Sequence, residues 1–510
     1  MALRRTYETG EMSMEHFDVA IVGYGPAGAT LAHLLGQCGL KTLVLDRESA
    51  HYHLPRAVHF DAEVMRVFQW IGIAEELERK THHHPGMRFV DSEGKLLLDW
   101  PRPQGEGPQG WRANYRFHQP DLEELLRHHL VRRKDVTVRN RCDVFYVEDQ
   151  SDRVELRYED MTRGSIERVS AQYVVGCDGA RSLVRRYIES GTEDYGFHER
   201  WLVVDVILKK DKPELGDHSI QYCRPERPAT YVRTPGQRRR WEITVRPEED
   251  STDIARPERV WGLLSDWIKP DEAALERTAV YVFHSLVAEN WRKGRLLLAG
   301  DACHQTPPFM GQGMCAGIRD VANLYWKLAL VCKGKVPGED AERLLDTYES
   351  ERKPNAREYI QTAVRLGGLI NTAGTEEALR AALPTPDGSA RMESIAPPLG
   401  HGLGSGAKSG RLFGQPRLND GILMDAEYPH QFVVVAEAGL ADGLTLPEGV
   451  ALVTTERSNV AEHLARLGAR ASVLRPDRHT LGGADSREEL EALLAFVLPN
   501  PTETKQLERV

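Results

Sequence analysis

The run Gly23-Tyr24-Gly25-Pro26-Ala27-Gly28 has the residue types and spacing to hold a pyrophosphate. Glycine at 23 permits a tight turn, glycine at 25 lets the backbone approach a phosphate, and glycine at 28 lets a helix pack closely on a strand. A helix starting there offers free N–H groups and the positive end of its dipole to an anion. Asp46 follows Gly28 by 18 residues, where a carboxylate can accept hydrogen bonds from a ribose. A ligand-free glycine turn in an α/β domain is the plainer reading of the motif. An apolar strand before it, a helical pattern after it and the acid at this distance together favour a dinucleotide.

That segment does not separate FAD from NAD. The separation comes from Leu296–Gly317, LLLAGDACHQTPPFMGQGMCAG. A buried strand there delivers Asp301 into a glycine-rich loop, and a second helix begins near Gly313. Asp301 can bind a ribityl hydroxyl, and the N–H groups of Gly313 and Met314 would face the pyrimidine end of an isoalloxazine. Reduced flavin carries negative charge at that end, which a helix dipole stabilises. Two helix starts far apart in sequence suit FAD, which spans a domain, better than NAD.

The elements that must position these residues are legible as periodic segments. Phe17–Val22 and Thr42–Leu45 are apolar runs of β-formers. Between them Leu31, Leu34, Leu35 and Cys38 recur at helical spacing, so a right-handed βαβ unit is expected. Helical patterns cover Asp121–Leu130 and about Met314–Val331, and Tyr173–Cys177 is a further strand ending at Asp178-Gly179. Residues 200–245 alternate β-formers and turns, which predicts an inserted sheet. Residues 371–411 cluster Gly, Pro and Ser and predict a linker, followed by a small α/β module. The fold class is α/β: a Rossmann-like FAD-binding domain over 16–190 plus 285–335, a mixed or antiparallel substrate sheet over 191–284, a helical segment and linker over 336–405, and a module over 406–510.

Composition agrees with several units and excludes some partners. A chain of 510 residues exceeds the roughly 250–300 that one core supports. Its net charge of −10, from 76 acidic and 66 basic residues, gives no footprint for nucleic acid. No apolar run reaches the roughly 18 residues that span a bilayer. The first 16 residues lack the apolar segment of a signal peptide and read as a disordered extension. Seven cysteines without a CxxC pair fit free thiols in the cytoplasm, and no metal is expected. The run His82-His83-His84 has no Cys or carboxylate at ligand spacing and reads as a solvated loop.

Three segments, GYGPAG, CDGARSLVRR and GDACHQTPPFMGQGMCAGIRDVANLYWKLAL, resemble the signature of class A flavoprotein monooxygenases, in that family's order. The resemblance covers roughly residues 16–360. PRAVHFDAEVMRVFQWIGI, WLVVDV and YCRPERPATYV look most like the 3-(3-hydroxyphenyl)propionate hydroxylase branch. It implies that Gly23, Gly25, Ala27, Gly28 and Asp46 hold the ADP half of FAD, with Arg47 beside the adenosine. Arg56 and Gln119 match positions at the pyrophosphate and ribityl chain. Asp178 would serve the pyrophosphate region and a transient nicotinamide, Asp301 the ribitol, and Pro307, Gly311, Gln312, Gly313 and Met314 the isoalloxazine. Asp46 stands where Glu is commoner, and Cys303 where Ala is usual. Residues 406–510, with VLRPDRHTLGG the best match, resemble the thioredoxin-like domain of larger members. Lacking cysteine, that region would be structural or support a homodimer.

The chemistry that this resemblance implies uses NADH or NADPH to reduce FAD, adds O2 at flavin C4a, and passes the distal oxygen of the hydroperoxide to a phenol. An FAD oxidoreductase without oxygenation is the alternative. A phenol attacks well as it nears phenolate, so a base or a cation is needed. Asp61 is one candidate base, though it equally suits the N-cap of the helix starting at Ala62. Tyr222, Tyr231, Arg233 and His284 fall on the expected substrate sheet, where solvent-facing positions are the default. Arg224, Arg227 or Arg233 could clamp a substrate carboxylate, or could simply charge a strand edge. His304 reads as loop packing.

Overall fold

The computed structural model describes residues 14–50, 56–83, 85–372, 395–499 and 501. Most of the expected N-terminal extension, His84, residues 373–394 of the expected linker and residues 502–510 lie outside them. The first sheet runs in the order Arg292–Lys293, Leu296–Leu298, Ser165–Gly176, Glu15–Val22, Thr42–Asp46, Val136–Asn140. Its inner pairings are parallel. Strands covered on both faces must be apolar throughout, and Val19–Leu45 shows it: Val19, Ala20, Ile21, Leu43, Val44 and Leu45 are all buried. The helix Pro26–Gln37 makes the crossover between the first two strands.

A second sheet carries the order His304–Gln305, Ala273–Ala288, Thr192–Leu208, Arg238–Thr244, Ala229–Arg233, Ser219–Tyr222, Gly86–Val90, Leu96–Pro101. It is mixed, because Ser219–Tyr222 pairs in parallel with Gly86–Val90. The expected boundary 191–284 is therefore too narrow. Ser219–Tyr222 would otherwise be an unpaired edge, and the hairpin 86–101 satisfies its backbone groups from far along the chain. One face of this sheet packs Leu202, Val204, Tyr231, Trp241 and Ile243 against Val260 and Leu264 of the helix Pro257–Leu264. The other face carries Asp205, Gln221, Thr230, Arg240 and Glu242.

The C-terminal unit has a four-stranded sheet ordered Ala451–Thr454, Val433–Ala436, Ala471–Leu474, Thr480–Ala484, with one parallel and two antiparallel pairings. The stretch Arg475–His479 fastens it to the rest. Arg475 donates to both carboxylate oxygens of Glu351 at 2.7 and 2.8 Å and pairs with Asp477 at 2.5 Å, while Lys327 donates to Glu351 at 2.7 Å. A second buried cluster sets Asp425 between Arg66 at 2.6 Å, Trp70 at 2.7 Å and Arg478 at 2.9 Å. Phe432 packs edge-on against Trp326 of the long helix Gly313–Cys332.

Removing one partner from a buried ion cluster strands the others in low dielectric. Glu351→Gln should lose about 3–5 kcal/mol in urea unfolding. Burial raises the Glu351 carboxyl, but Arg475 and Lys327 outweigh it and bring it from 4.5 to about 2. The cluster's contribution is complete above the ordinary value and is lost as pH falls from about 4.5 through about 2. Wild-type stability should decline across that range more steeply than that of the variant; equal stability and equal acid slopes would contradict the assignment.

Candidate active site

The two glycine-bounded helix starts meet. The helix Pro26–Gln37 begins at Gly25 and the helix Gly313–Cys332 at Gln312, and neither cap residue's side chain bonds a first-turn N–H. A β-carbon on Gly317 would lie 3.0 Å from Cα of Gly300 and 3.5 Å from Cβ of Ala27, and one on Gly300 would lie 3.4 Å from Ala27. Ala27, Gly300 and Gly317 thus form a close contact that brings both positive helix ends to one place. Gly28 is needed for the same closeness, since a β-carbon there would sit 2.1 Å from the Gly23 carbonyl oxygen. Gly23 itself has φ +105°, in the left-handed region. Beside Gly25 and Gly313, by contrast, no atom comes within 4 Å of a β-carbon position. Two uncapped helix starts facing open space form a cradle that fits an extended diphosphate-linked cofactor.

Around this cradle, Asp46 accepts from the Tyr24 N–H at 2.5 Å and the Glu48 N–H at 2.7 Å, which ties the second strand to the glycine turn. Arg47 is exposed, 3.6 Å from Glu48. Gln119 accepts from the N–H groups of Arg56 and Ala57 at 3.1 and 2.7 Å and donates to Glu123 at 2.7 Å, so it positions the Arg56 segment. Asp178 accepts from the Leu183 N–H at 2.6 Å, and burial raises its carboxyl. The Asp301 residue is exposed, yet neighbouring atoms crowd its carboxyl and raise it, with His304 and Arg56 pulling the other way. Pro307 leads into the turn Pro308–Met310, and Gly311, at φ +62°, turns the chain toward Gly313. Gln312 accepts from Arg319 at 2.9 Å, and Met314 is partly buried.

A cavity adjoins that loop. Its lid is Pro308–Gly311, its wall the polar face of the second sheet at Ser219, Gln221, Thr230 and Glu242, and its far side the short sheet of His59–Asp61 with Asn114–Arg116. The His59 ring lies against Gly311, where a β-carbon would be 3.1 Å from it. Its Nε2 lies 2.9 Å from the Asn114 Oδ1. A carboxamide oxygen only accepts, so Nε2 carries the proton and Nδ1 keeps a lone pair. Burial first, then Arg116, brings His59 to about 4, so the ring is neutral at pH 7. Arg116 donates to Ser219 Oγ at 3.0 Å. Burial and the neighbouring Arg102 lower Arg116 to about 9, and burial raises Glu242. Among the described residues, Nδ1 of His59, Nε of Arg116, Nδ2 of Asn114 and Nε1 of Trp100 are buried with no hydrogen-bond partner, and all four residues line this cavity. Gln221 and Thr230, which also line it, bond each other at 2.6 Å.

The catalytic candidates read from the sequence mostly lie elsewhere. Asp61 caps the helix Ala62–Trp70 by accepting from the Val64 N–H at 3.1 Å, and its other oxygen pairs with Arg319. Burial raises this carboxyl, but Arg319 outweighs burial and holds it below the ordinary value. Tyr222 packs at a tilt against Trp267, ring centres 5.0 Å apart, and Tyr231 against Trp241 at 5.1 Å, on the helix-covered face of the sheet. Arg233 bonds the carbonyls of Thr234 and Gly236. His284 contacts His198 at 2.8 Å on the long hairpin. Arg224 pairs with Asp266 at 2.9 Å and Arg227 with Glu249 at 2.6 Å. None of these seven residues lines the cavity, and Tyr222 and Tyr231 take the strand parity that belongs to the core. The signal was present as buried polar residues, Gln221 and Thr230, at the opposite parity. The cavity's cations are Arg102 and Arg116. His82 and His83 are half-buried rather than solvated, and His82 exchanges backbone bonds with Arg116 at 2.8 Å. His304 is buried, 2.7 Å from Asp320 and packed on Trp291.

The cradle makes a prediction that separates ligand binding from folding. Gly25→Ala introduces a methyl group into open space at an ordinary φ of −72°, so the FAD-free variant should melt with the wild type. Its FAD affinity should fall about tenfold or more, ~1.4 kcal/mol, in a fluorescence titration. Gly28→Ala should lower both. Unchanged FAD affinity in Gly25→Ala would place the diphosphate elsewhere.

A family model described as FAD binding domain matches residues 16–363. The chain is 40% identical over 351 residues to a probable NADH-specific resorcinol 4-hydroxylase of Rhodococcus jostii (strain RHA1), covering 69% of this chain and 65% of that protein. It is 38% identical over 354 residues to a 3-(3-hydroxy-phenyl)propionate/3-hydroxycinnamic acid hydroxylase of Burkholderia cenocepacia (strain HI2424), covering 69% and 63%. The chain thus spans less than two thirds of the length of these relatives. Its fold is similar to that of the flavin-dependent monooxygenase PieE, solved in complex with FAD and substrate, with a TM-score of 0.77 at 21% identity over 94% of this chain and 98% of that one. With most of its length under one family model, the chain belongs to the FAD binding domain family of flavoproteins.

Proposed function

We propose that this protein is an FAD-dependent monooxygenase that hydroxylates a phenolic ring, with NADH or NADPH as electron donor and O2 as co-substrate. The observation that carries this reading is the position of the cavity. Its lid, Pro308–Gly311, is the same loop that delivers the chain to the uncapped helix start at Gly313. Bound FAD supplies hydride acceptance and oxygen activation; the chain supplies orientation, charge and exclusion of water. In this reading Gly23, Gly25, Ala27, Gly28, Asp46 and Arg47 hold the ADP half. Arg56, Gln119, Asp178 and Asp301 serve the pyrophosphate and ribityl chain, and Pro307 with Gly311, Gln312, Gly313 and Met314 the ring.

The residues of the cavity suit an oxygen-bearing aromatic. Met87, Trp100, Val232 and Phe309 give it apolar surface, and the four unpartnered polar atoms give it directed hydrogen bonds. Deprotonating a phenol of pKa near 10 at pH 7 costs about 4 kcal/mol. Guanidinium groups at Arg102 and Arg116 oppose that cost by favouring the oxyanion, and they can equally meet a carboxylate on a meta side chain. The names of the relatives, a resorcinol hydroxylase and a hydroxyphenylpropionate hydroxylase, favour the same class of ring. Residues 406–510 are read as a thioredoxin-like unit with a structural role, consistent with the absence of cysteine beyond Cys332. No helix among the described residues is long and apolar enough to cross a membrane.

The test is turnover by the FAD-loaded protein. Resorcinol or 3-(3-hydroxyphenyl)propionate should stimulate NAD(P)H oxidation, with O2 uptake and a hydroxylated product of matching yield. Arg116→Leu should raise KM for the carboxylated phenol more than for resorcinol. Stimulated oxidation that yields only H2O2 with every phenol tried would instead support an oxidase-type flavoprotein.

A further inference from the structure

The unpartnered atoms of the cavity are not equivalent. Nε of Arg116, Nε1 of Trp100 and Nδ2 of Asn114 are donors, whereas Nδ1 of His59 is an acceptor, because its Nε2 proton is directed at Asn114 Oδ1 at 2.9 Å. A phenol needs one acceptor for its O–H and donors for the oxygen once the proton has moved. We propose that His59 receives the hydroxyl proton of the aromatic substrate, with Asn114 fixing its tautomer and Arg116 supporting the oxygen's growing charge. This rests on the monooxygenase reading and adds its base.

In this step the O–H bond breaks and its electron pair stays on oxygen, where it delocalises into the ring. A new N–H bond forms at Nδ1, and the proton returns to an oxygen of the product. The charged groups acting on His59 are Arg116 of the paired strand, Arg102 beyond the strand Leu96–Pro101, and Asp61 two residues along its own strand. Arg116 disfavours an imidazolium but favours a phenolate to a similar degree, so it leaves the transfer between the two nearly unchanged. Burial, the largest influence on His59, penalises both new charges, so the transfer depends on their attraction at contact distance offsetting that penalty. Asp61 does not compete for this role: the Val64 N–H and Arg319 already engage both of its oxygens.

Three measurements on the FAD-loaded protein test this. Resorcinol labelled with 13C at its hydroxyl-bearing carbons, bound to the oxidised wild type, should ionise at lower pH than free resorcinol. His59→Gln should retain flavin, lose about 10²–10⁴-fold in kcat at pH 7, change KM little, and recover rate as pH approaches the phenol's own pKa near 10. Asn114→Leu, which leaves the imidazole but frees its tautomer, should lose less and recover along the same profile. Bound resorcinol that ionises no more readily than free resorcinol overturns the proposal, as does a variant pH–rate profile that parallels wild type. Absence of hydroxylated product with the wild type would sink the functional reading instead, while the 13C titration would still report on His59.

Discussion

The constraint on which the structure depends is the close approach of two helices at Ala27, Gly300 and Gly317. Gly317 is small because Gly300 lies where a side chain would go, and Gly300 sits at φ +65°, in the left-handed region. That approach aligns two uncapped helix N-termini whose combined partial charges suit a diphosphate at one and an electron-rich ring at the other. The remaining elements converge on it. The parallel sheet sets the first helix, the strand Leu296–Leu298 sets Gly300, and the loop after it carries the lid of the cavity.

Buried charge then couples the units that surround this centre. Arg240, held by Asp205 at 2.7 Å on the polar face of the second sheet, donates to the carbonyl of Arg56 at 2.6 Å. Gln119 grips the same segment from the first domain. The second sheet and the segment at Arg56 are therefore fixed to each other by groups that cannot separate without stranding a charge. The C-terminal unit is bound in the same manner through Glu351 and Asp425. Its sequence VLRPDRHTLGG stands out because Arg475, Asp477 and Arg478 are the fastening residues.

What could be read from the chain was what local periodicity encodes. The Gly23–Gly28 turn, the crossover helix and the long helix after Gly313 follow from spacing alone, and the structure places them where expected within one or two residues. The β-formers and turns of residues 200–245 marked a sheet, yet they could not say which of its faces meets solvent, core or ligand. Aromatic side chains at 222 and 231 looked chemically apt, and they are core. Gly86–Pro101 joins the second sheet through a parallel pairing that no local pattern marks. His59 lay within a stretch quoted for its likeness, but its meaning depends on Asn114 and Gly311, neither of which is near it in sequence.

The central claim is that one cofactor site and one aromatic cavity share the loop Pro307–Met314. Its most direct test is the visible absorbance of the flavin during titration with resorcinol. The account predicts that the protein takes up one FAD per chain, and that resorcinol shifts the bound flavin's spectrum saturably, because ring and phenol are adjacent. A protein that refuses FAD, or a bound flavin whose spectrum ignores every phenol tried, would contradict it.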